Sequence, residues 1–283
     1  MKWLILLGIL AAPSARAAGW TQPEGDFYAR IVNRILLGEK GYDRHGRSHD
    51  TGGRFTDWAL NVYGEYGLTD AVTLVTHLTP AGYADFEDTT PAPGRVAASS
   101  FYLGPLSVGA RVGRPVGPLR LALEGRYGFA PPVGDTAVGS GVFLCETAPC
   151  ERFDYTPAVS HHRFDAEAQV GAGLPWGLWI SGSLGARTFA GADLEPALLG
   201  FAQLGWQGPW GLVLEAHFTL HRTLGDLDHN QIAGTGETRY VGRGLGLSWW
   251  MNEHVALTVG QDGGFGIRSN AAAASRMFGV ELR

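Results

Sequence analysis

The sequence predicts an all-β protein, a transmembrane antiparallel up-and-down β-barrel of about 12 strands. Three observations predict it. Segments about ten residues long alternate apolar and polar side chains, the length at which a tilted strand crosses a bilayer. The connections between them alternate between short and long, as in a barrel with tight turns on one side of a membrane and larger loops on the other. Tryptophans gather beside the short turns, where an indole places its apolar body at headgroup level and its N–H in water.

The chain of 283 residues opens with Lys2, the apolar run Trp3 to Ala12, and a small-residue site at Ala15-Arg16-Ala17. That is the order of a secretory signal, so residues 1–17 are expected to be cleaved and residues 18–283 to form the barrel. No cysteine follows the cleavage site to carry a lipid anchor. An exported chain of this pattern belongs in the outer membrane of a Gram-negative bacterium, with outer-membrane lipids around it. Lys and Arg number 22 against 27 Asp and Glu, a net −5, and the loss of Lys2 and Arg16 makes it more negative. That balance gives no reason to expect nucleic acid as a partner. Past the leader no run approaches the roughly 20 apolar residues of a membrane helix. With 42 Gly, 11% aromatic and 17% charged residues, the chain is too apolar and too periodic for disorder.

Taken in order, residues 25–37 set Phe27, Ala29, Ile31 and Ile35 against Tyr28, Arg30 and Arg34. Residues 54–67 set Trp58, Leu60, Val62 and Tyr66 against Asp57, Asn61, Tyr63 and Glu65. Segments 71–79 and 99–113 follow, the second carrying Arg111. Residues 119–129, LRLALEGRYGF, oppose Leu119, Leu121, Leu123, Tyr127 and Phe129 to Arg120, Glu124 and Arg126. The others fall near 163–174, with Asp165 and Glu167; 178–189, with Arg187; 197–206; 212–222, with Glu215 and His217; 238–250; 255–263; and 275–283. An even count returns both ends to one side. Short connections are expected at 67–71, 114–118, 174–177, 207–211 and 251–254. Long ones are expected at 38–53, 80–98, 130–162, 190–196, 223–237 and 264–274. Arg243 shares a face with Val241, Leu245 and Leu247, so a bulge or a position near the rim is expected there.

In lipid the apolar face of such a barrel points outward and the charged face inward, and closure leaves no backbone group unpaired in hydrocarbon. The residues expected to line the lumen are Arg30, Arg34, Asp57, Glu65, Arg111, Arg120, Glu124, Arg126, Asp165, Glu167, Arg187, Glu215 and His217. Arg120, Glu124 and Arg126 lie on the strand next to Asp165 and Glu167, which suits cross-strand ion pairs. Two readings stay open. The charged rows guide small polar solutes through a pore, or they fill and staple a narrow barrel, since twelve strands lie between filled eight-stranded barrels and open porins. Mixed signs disfavour strong ion selectivity in either case.

The stretch GWTQPEGDFYARIVNR after the leader, with YGEYGLTDAVTLVTHL at 63–78, resembles a family of bacterial outer-membrane barrels. Its members begin with Trp-Thr-Gln-Pro and carry a Tyr-Gly-Glu-Tyr-Gly-Leu-Thr-Asp hairpin, and some go by the name XagA and are tied to exopolysaccharide. The resemblance covers the first quarter of the chain best. It implies architecture and a surface linked to polysaccharide, and it carries over no catalytic residue.

Cys145 and Cys150, close together in an exported chain, predict a small-loop disulfide, because zinc wants four ligands and no companion cysteines exist. Asp226, Asp228, Asn230, Ile232 and Glu237 repeat the spacing of a calcium loop. Gln231 stands where that loop needs glycine, so the better reading is an acidic solvated loop, and neither metal nor cofactor is expected. An enzyme would need a nucleophile, a base and an orienting group held together. The candidates are His217 and His221 near Glu215, and Ser160 beside His161-His162. No GxSxG element accompanies them, and no enzymatic activity is expected. The expected function is passive passage of small polar solutes. The alternatives are a non-conducting surface barrel engaged in adhesion or exopolysaccharide association, and a lipid-directed enzyme.

Overall fold

Strands form wherever the alternation runs, and several continue past it. The computed structural model describes residues 20–89, 95–134, 137–144, 151–191, 194–225, 238–268 and 270–283. The elements are β1 (Phe27–Tyr42), β2 (Ser48–Thr69), β3 (Val72–Asp88), β4 (Val96–Ala97), β5 (Ser99–Tyr102), β6 (Leu106–Val116), β7 (Leu119–Ala130) and β8 (Gly139–Leu144). They continue with β9 (Glu151–Tyr155), β10 (His161–Gly173), β11 (Leu178–Ala190), β12 (Ala197–Gln207), β13 (Leu212–Thr223), β14 (Arg239–Trp250), β15 (Val255–Arg268) and β16 (Asn270–Leu282). Twelve of them, β1 to β3, β6, β7 and β10 to β16, form a closed antiparallel barrel, with β1 pairing to both β2 and β16. The barrel is all-β and up-and-down. The leader 1–17, the Cys145–Cys150 pair and the Asp226, Asp228, Asn230, Glu237 segment lie outside the described residues.

The period-2 pattern separates two environments. Leu121, Leu123 and Leu184 are exposed on the outer wall, the last two about 70% so, where lipid covers them. Thr73, Arg111, Glu124 and Asp165 are buried inside.

Three expectations about the connections are corrected. The expected loops 38–53, 80–98 and 264–274 are mostly strand, because β1, β2, β3, β15 and β16 run on beyond the alternating segments and β4 falls within the second. Past the hydrocarbon both faces of a hairpin are wet, so Gly38-Glu39-Lys40 carries no apolar alternation to read. The β1–β2 tip is fixed by Asp43, whose Oδ1 accepts from the backbone N–H of His45 (2.9 Å) and Arg47 (2.8 Å), and whose Oδ2 lies 3.0 Å from His49 Nε2. Burial alone would raise its pKa, yet these donors outweigh it and hold the carboxyl below its usual value. The segment 99–113 is split into β5 and β6 at Gly104-Pro105, where proline has no N–H to donate. Arg243 is met by no bulge: the register of β14 shifts between Arg239 and Val241, and Arg243 keeps its outward parity.

The tryptophans divide. Trp176 and Trp210 sit in twin Pro-Trp-Gly turns at φ of 64° and 59°, with 82% and 89% of their surface free. Both occupy the left-handed region that a bulky residue rarely adopts, and both place the indole at the rim. Trp20, Trp179 and Trp250 turn inward instead and border the lower lumen. Trp179 is 4% exposed, and a Cβ on Gly205 would stand 2.0 Å from its ring. Gly205→Val is therefore expected to destabilise the barrel by about 1–3 kcal/mol, the usual range for overpacking. Urea titration followed by the gel shift of folded against heated protein checks it, and an unchanged midpoint would sink the argument.

At the upper end some residues of the connection after β7 fold inward. Val138, Tyr155 and Ala158, from the 131–160 connection, pack with Phe55, Ala59, Ala84, Phe86 and Tyr102 in one buried cluster. β4, β8 and β9 form a small second sheet above the barrel.

Candidate functional site

Because outward positions within the bilayer must suit lipid, most charges on the strands take inward positions, and the lumen collects them. In the lower half one network crosses β2, β6, β7, β10 and β11. The Arg111 guanidinium donates to Glu65 (Nη1, 2.7 Å), Glu124 (Nε, 2.8 Å), the Tyr63 hydroxyl (3.0 Å) and the Trp20 carbonyl (2.9 Å). Arg126 donates to Glu124 (2.7 Å), Glu167 and Asp165 (3.5 Å), and lies 3.0 Å from His77 Nε2. Arg187 grips Asp165 with a two-pronged contact at 2.7 and 2.9 Å. Gln169 donates to Glu124 and Ser183 to Glu167, each at 3.0 Å.

Arg126 stands directly opposite Asp165 in the β7–β10 ladder, which places it between the two carboxylates of β10. Arg120 is different. It lies opposite Gly171 beside the Gly117-Pro118 turn, is exposed, and joins no part of the network. Its parity is inward but its height is the rim.

The other expected residues fall in two further groups. Arg30 lies 3.7 Å from Glu281 and donates to Thr258 (3.3 Å), with Glu215 close by on the same lower cavity. His217 Nε2 is 3.1 Å from Asp262 Oδ1, across the strip of Gly242, Gly244 and Gly246. In the upper half Arg34 donates to Asp57 (2.8 Å), and Asp57 also accepts from the hydroxyls of Tyr102 (2.7 Å) and Tyr155 (3.5 Å).

Ion pairs do not fill the interior. An upper cavity of about 470 Å³ is bordered by Arg34, Asp57, Tyr155, Arg163, His217 and Asp262, among others. A lower cavity of about 570 Å³ is bordered by Tyr28, Arg30, Glu65, Arg126, Glu215 and Glu281, among others. Both touch Thr219 and Tyr240, so the two are stacked along the barrel. The charged network hugs the β2 to β11 side, and the glycine-rich β14 opposite leaves the space.

The chain before β1 enters the lower lumen. Gln22 is 2% exposed, its amide donates to Glu65, and its backbone N–H donates to Thr73 Oγ1 (2.7 Å). The Thr21 hydroxyl donates to the Asp70 carbonyl (2.6 Å), and the Gly67 N–H to the Asp26 carbonyl (2.9 Å). A Cβ on Gly67 would lie 1.9 Å from the Pro23 carbonyl oxygen, so only glycine admits this docking. The Trp-Thr-Gln-Pro element and the hairpin of residues 63–70 thus bind one another.

Gln22, His77, Gln169, Tyr102 and Tyr155 were missed from the sequence. His77 and Gln169 follow strand parity and were within reach of it. The other three arrive from outside the barrel strands, and no local pattern marks them. The nucleophile candidates are not assembled: Ser160 Oγ donates to the Ala130 carbonyl (3.2 Å), and His162 faces outward against the Tyr127 hydroxyl (2.6 Å). Among the described residues no group of three metal-ligating side chains converges.

No protein family model and no curated protein matches the chain. Solved structures match its fold. The COG4313 outer membrane channel from Pseudomonas putida F1 superposes with a TM-score of 0.65 at 11% identity, covering 95% of this chain and 99% of that one. The translocator domain of the autotransporter NalP from Neisseria meningitidis gives 0.52 at 15% identity, over 90% and 88% of the two chains. The NanC porin gives 0.52 at 6% identity, over 90% and 99%. At these identities the likeness is one of fold: the chain shares the closed antiparallel β-barrel of these outer-membrane proteins.

Proposed function

We propose that the chain, exported behind its 1–17 leader, is a passive channel for small polar solutes. The observation that carries this reading is the pair of stacked, charge-lined cavities meeting at Thr219 and Tyr240. Residues Trp20 to Gln22 narrow the route below, and Val138, Tyr155 and Ala158 narrow it above. Conduction is therefore small.

Arg111, Arg126, Arg163 and Arg187 face Glu65, Glu124, Asp165 and Glu167, so neither sign dominates this wall and ion preference is weak. Single-channel recording in planar bilayers tests this. Wild-type protein is expected to give small reproducible steps with a reversal potential near zero in a salt gradient. Arg126→Ala leaves an excess of carboxylates and is expected to move the reversal potential toward cations, whereas Arg120→Ala, at the rim, is expected to leave it in place. Silence from folded, heat-modifiable protein would overturn the channel reading.

That silence would favour a surface barrel of the XagA type, working through its outer loops on polysaccharide. Kinship with that family is supported by the mutual docking of its two motifs, Trp20 to Pro23 on Tyr63 to Asp70.

A further inference from the structure

Away from the rims the outer wall is apolar or small on most strands, as lipid requires. Four adjacent strands break this rule at one height. Arg243 on β14, Gln261 on β15, Arg276 on β16 and Asn33 on β1 all face outward. Inward parity on β14 is fixed by Gly242 and Gly244, whose Cβ atoms would meet Thr219 and the His217–Asp262 pair. Gln261 pairs directly with Arg276 across one ladder and with Leu245 across the other, which puts Arg243 one diagonal step away. Trp58 Nε1 donates to Asn33 Oδ1 (3.2 Å), while Arg243, Gln261 and Arg276 have no protein partner among the described residues. Among the described residues no carboxylate stands on this stretch of wall. Leu245, Val259 and Phe278 lie below the band, and Leu37 and Phe265 lie above it, all exposed.

Two unpaired guanidinium groups in hydrocarbon are costly, so they need an anionic partner or a route to the interface. Their height supplies both. Arg243, Gln261 and Arg276 each stand six residues along their strands from Trp249, Val255 and Leu282 at the periplasmic end. At roughly 3.3 Å per residue and a tilt of about 40°, that is roughly 15 Å up an apolar band of about 25 Å. Extended arginine side chains reach most of the remaining distance toward the outer headgroups. Just above them the wall is recessed: Gly263 faces Arg243 on one side and Ala274 on the other, and nothing lies within 4 Å of where a Cβ on Gly263 would stand.

We propose that this band binds the phosphate of an anionic, phosphorylated glycolipid of the outer leaflet, with the headgroup seated over Gly263 and Ala274. Guanidinium groups offer paired N–H donors matched to phosphate oxygens, and the Gln261 amide adds a neutral donor between them. A symmetric contact with a second copy fits poorly, since a two-fold axis through the band would set arginine against arginine.

Native mass spectrometry of the full chain tests the proposal, with diphosphorylated lipid A and its fully dephosphorylated form as probes. The variants are the Arg243→Leu/Arg276→Leu pair, whose leucines suit a lipid-facing wall, and Gly263→Leu, which fills the recess and keeps both charges. Gel heat-modifiability verifies folding. Wild type is expected to retain the diphosphorylated lipid at least about tenfold more than the double variant, with Gly263→Leu also reduced and the dephosphorylated form weak throughout. Equal retention by wild type and the double variant would overturn the proposal, as would equal retention of the dephosphorylated lipid. A wild-type dimer lost in the double variant would instead give this face to a second copy.

Discussion

Arg111→Ala is expected to be among the most damaging single substitutions in the barrel and, in the molecules that still fold, to raise conductance. The Arg111 side chain is about 5% exposed and is held by Glu65, Glu124, Tyr63 and the Trp20 carbonyl at once. Removing it leaves Glu65 and Glu124 inside the lumen without their shared cation. Breaking a buried pair in this way costs about 3–5 kcal/mol, most of it from the charge left behind. Glu124 keeps Arg126 and Gln169, so Glu65 suffers more. Glu65 also holds Gln22, so the loss spreads to the segment that narrows the lower cavity. Urea titration is expected to show a lower midpoint, and single-channel recording larger steps. The Arg111→Ala/Glu65→Gln double variant is expected to recover part of the stability, because it removes the stranded charge, while the larger steps persist. Wild-type stability together with wild-type conductance would refute this account of the network.

Much of this site was legible because lipid imposes a two-valued code on each strand. Arg126, Asp165 and Glu167 were named from parity and strand adjacency, and the register brings them together. The code says nothing of height, which is why Arg120 passed as a companion of Arg126 and lies at the rim. It also fails where both faces are wet, and there β1, β2, β3, β15 and β16 run on unannounced. Arg243 broke the code visibly. The sequence suggested a bulge or a place near the rim, yet the register shift of β14 falls beyond Arg243, between Arg239 and Val241, and leaves the charge on the outer wall beside Gln261 and Arg276 of the next two strands. The inward packing of Val138 and Tyr155 had no sequence signal, since both read as ordinary loop residues. Their partners, Asp57 and Phe55, lie about a hundred residues away along the chain.

Asp57 tests that inward packing most directly. Its carboxylate is 6% exposed and accepts from Arg34, Tyr102 and Tyr155, which belong to the barrel wall, the strand after the third crossing and the inward connection. Hydrogen bonds to a charged acceptor contribute about 1.5–3 kcal/mol each, and Asp57→Ala also strands the Arg34 cation. The expected result is release of the upper plug while the barrel, closed by its backbone ladders, persists. Protease added from outside is expected to cut within 131–160 at least about tenfold faster than in wild type, the factor given by about 1.4 kcal/mol of opening free energy. Single-channel traces are expected to become larger and noisier. Tyr102→Phe removes the 2.7 Å contact and should reproduce part of this effect, whereas Tyr155→Phe removes only the 3.5 Å contact and should do less. The reverse order would mean that apolar packing around Phe55 and Val138, rather than the Asp57 carboxylate, holds the connection inside. Unchanged cleavage in Asp57→Ala would remove Asp57 from the latch altogether.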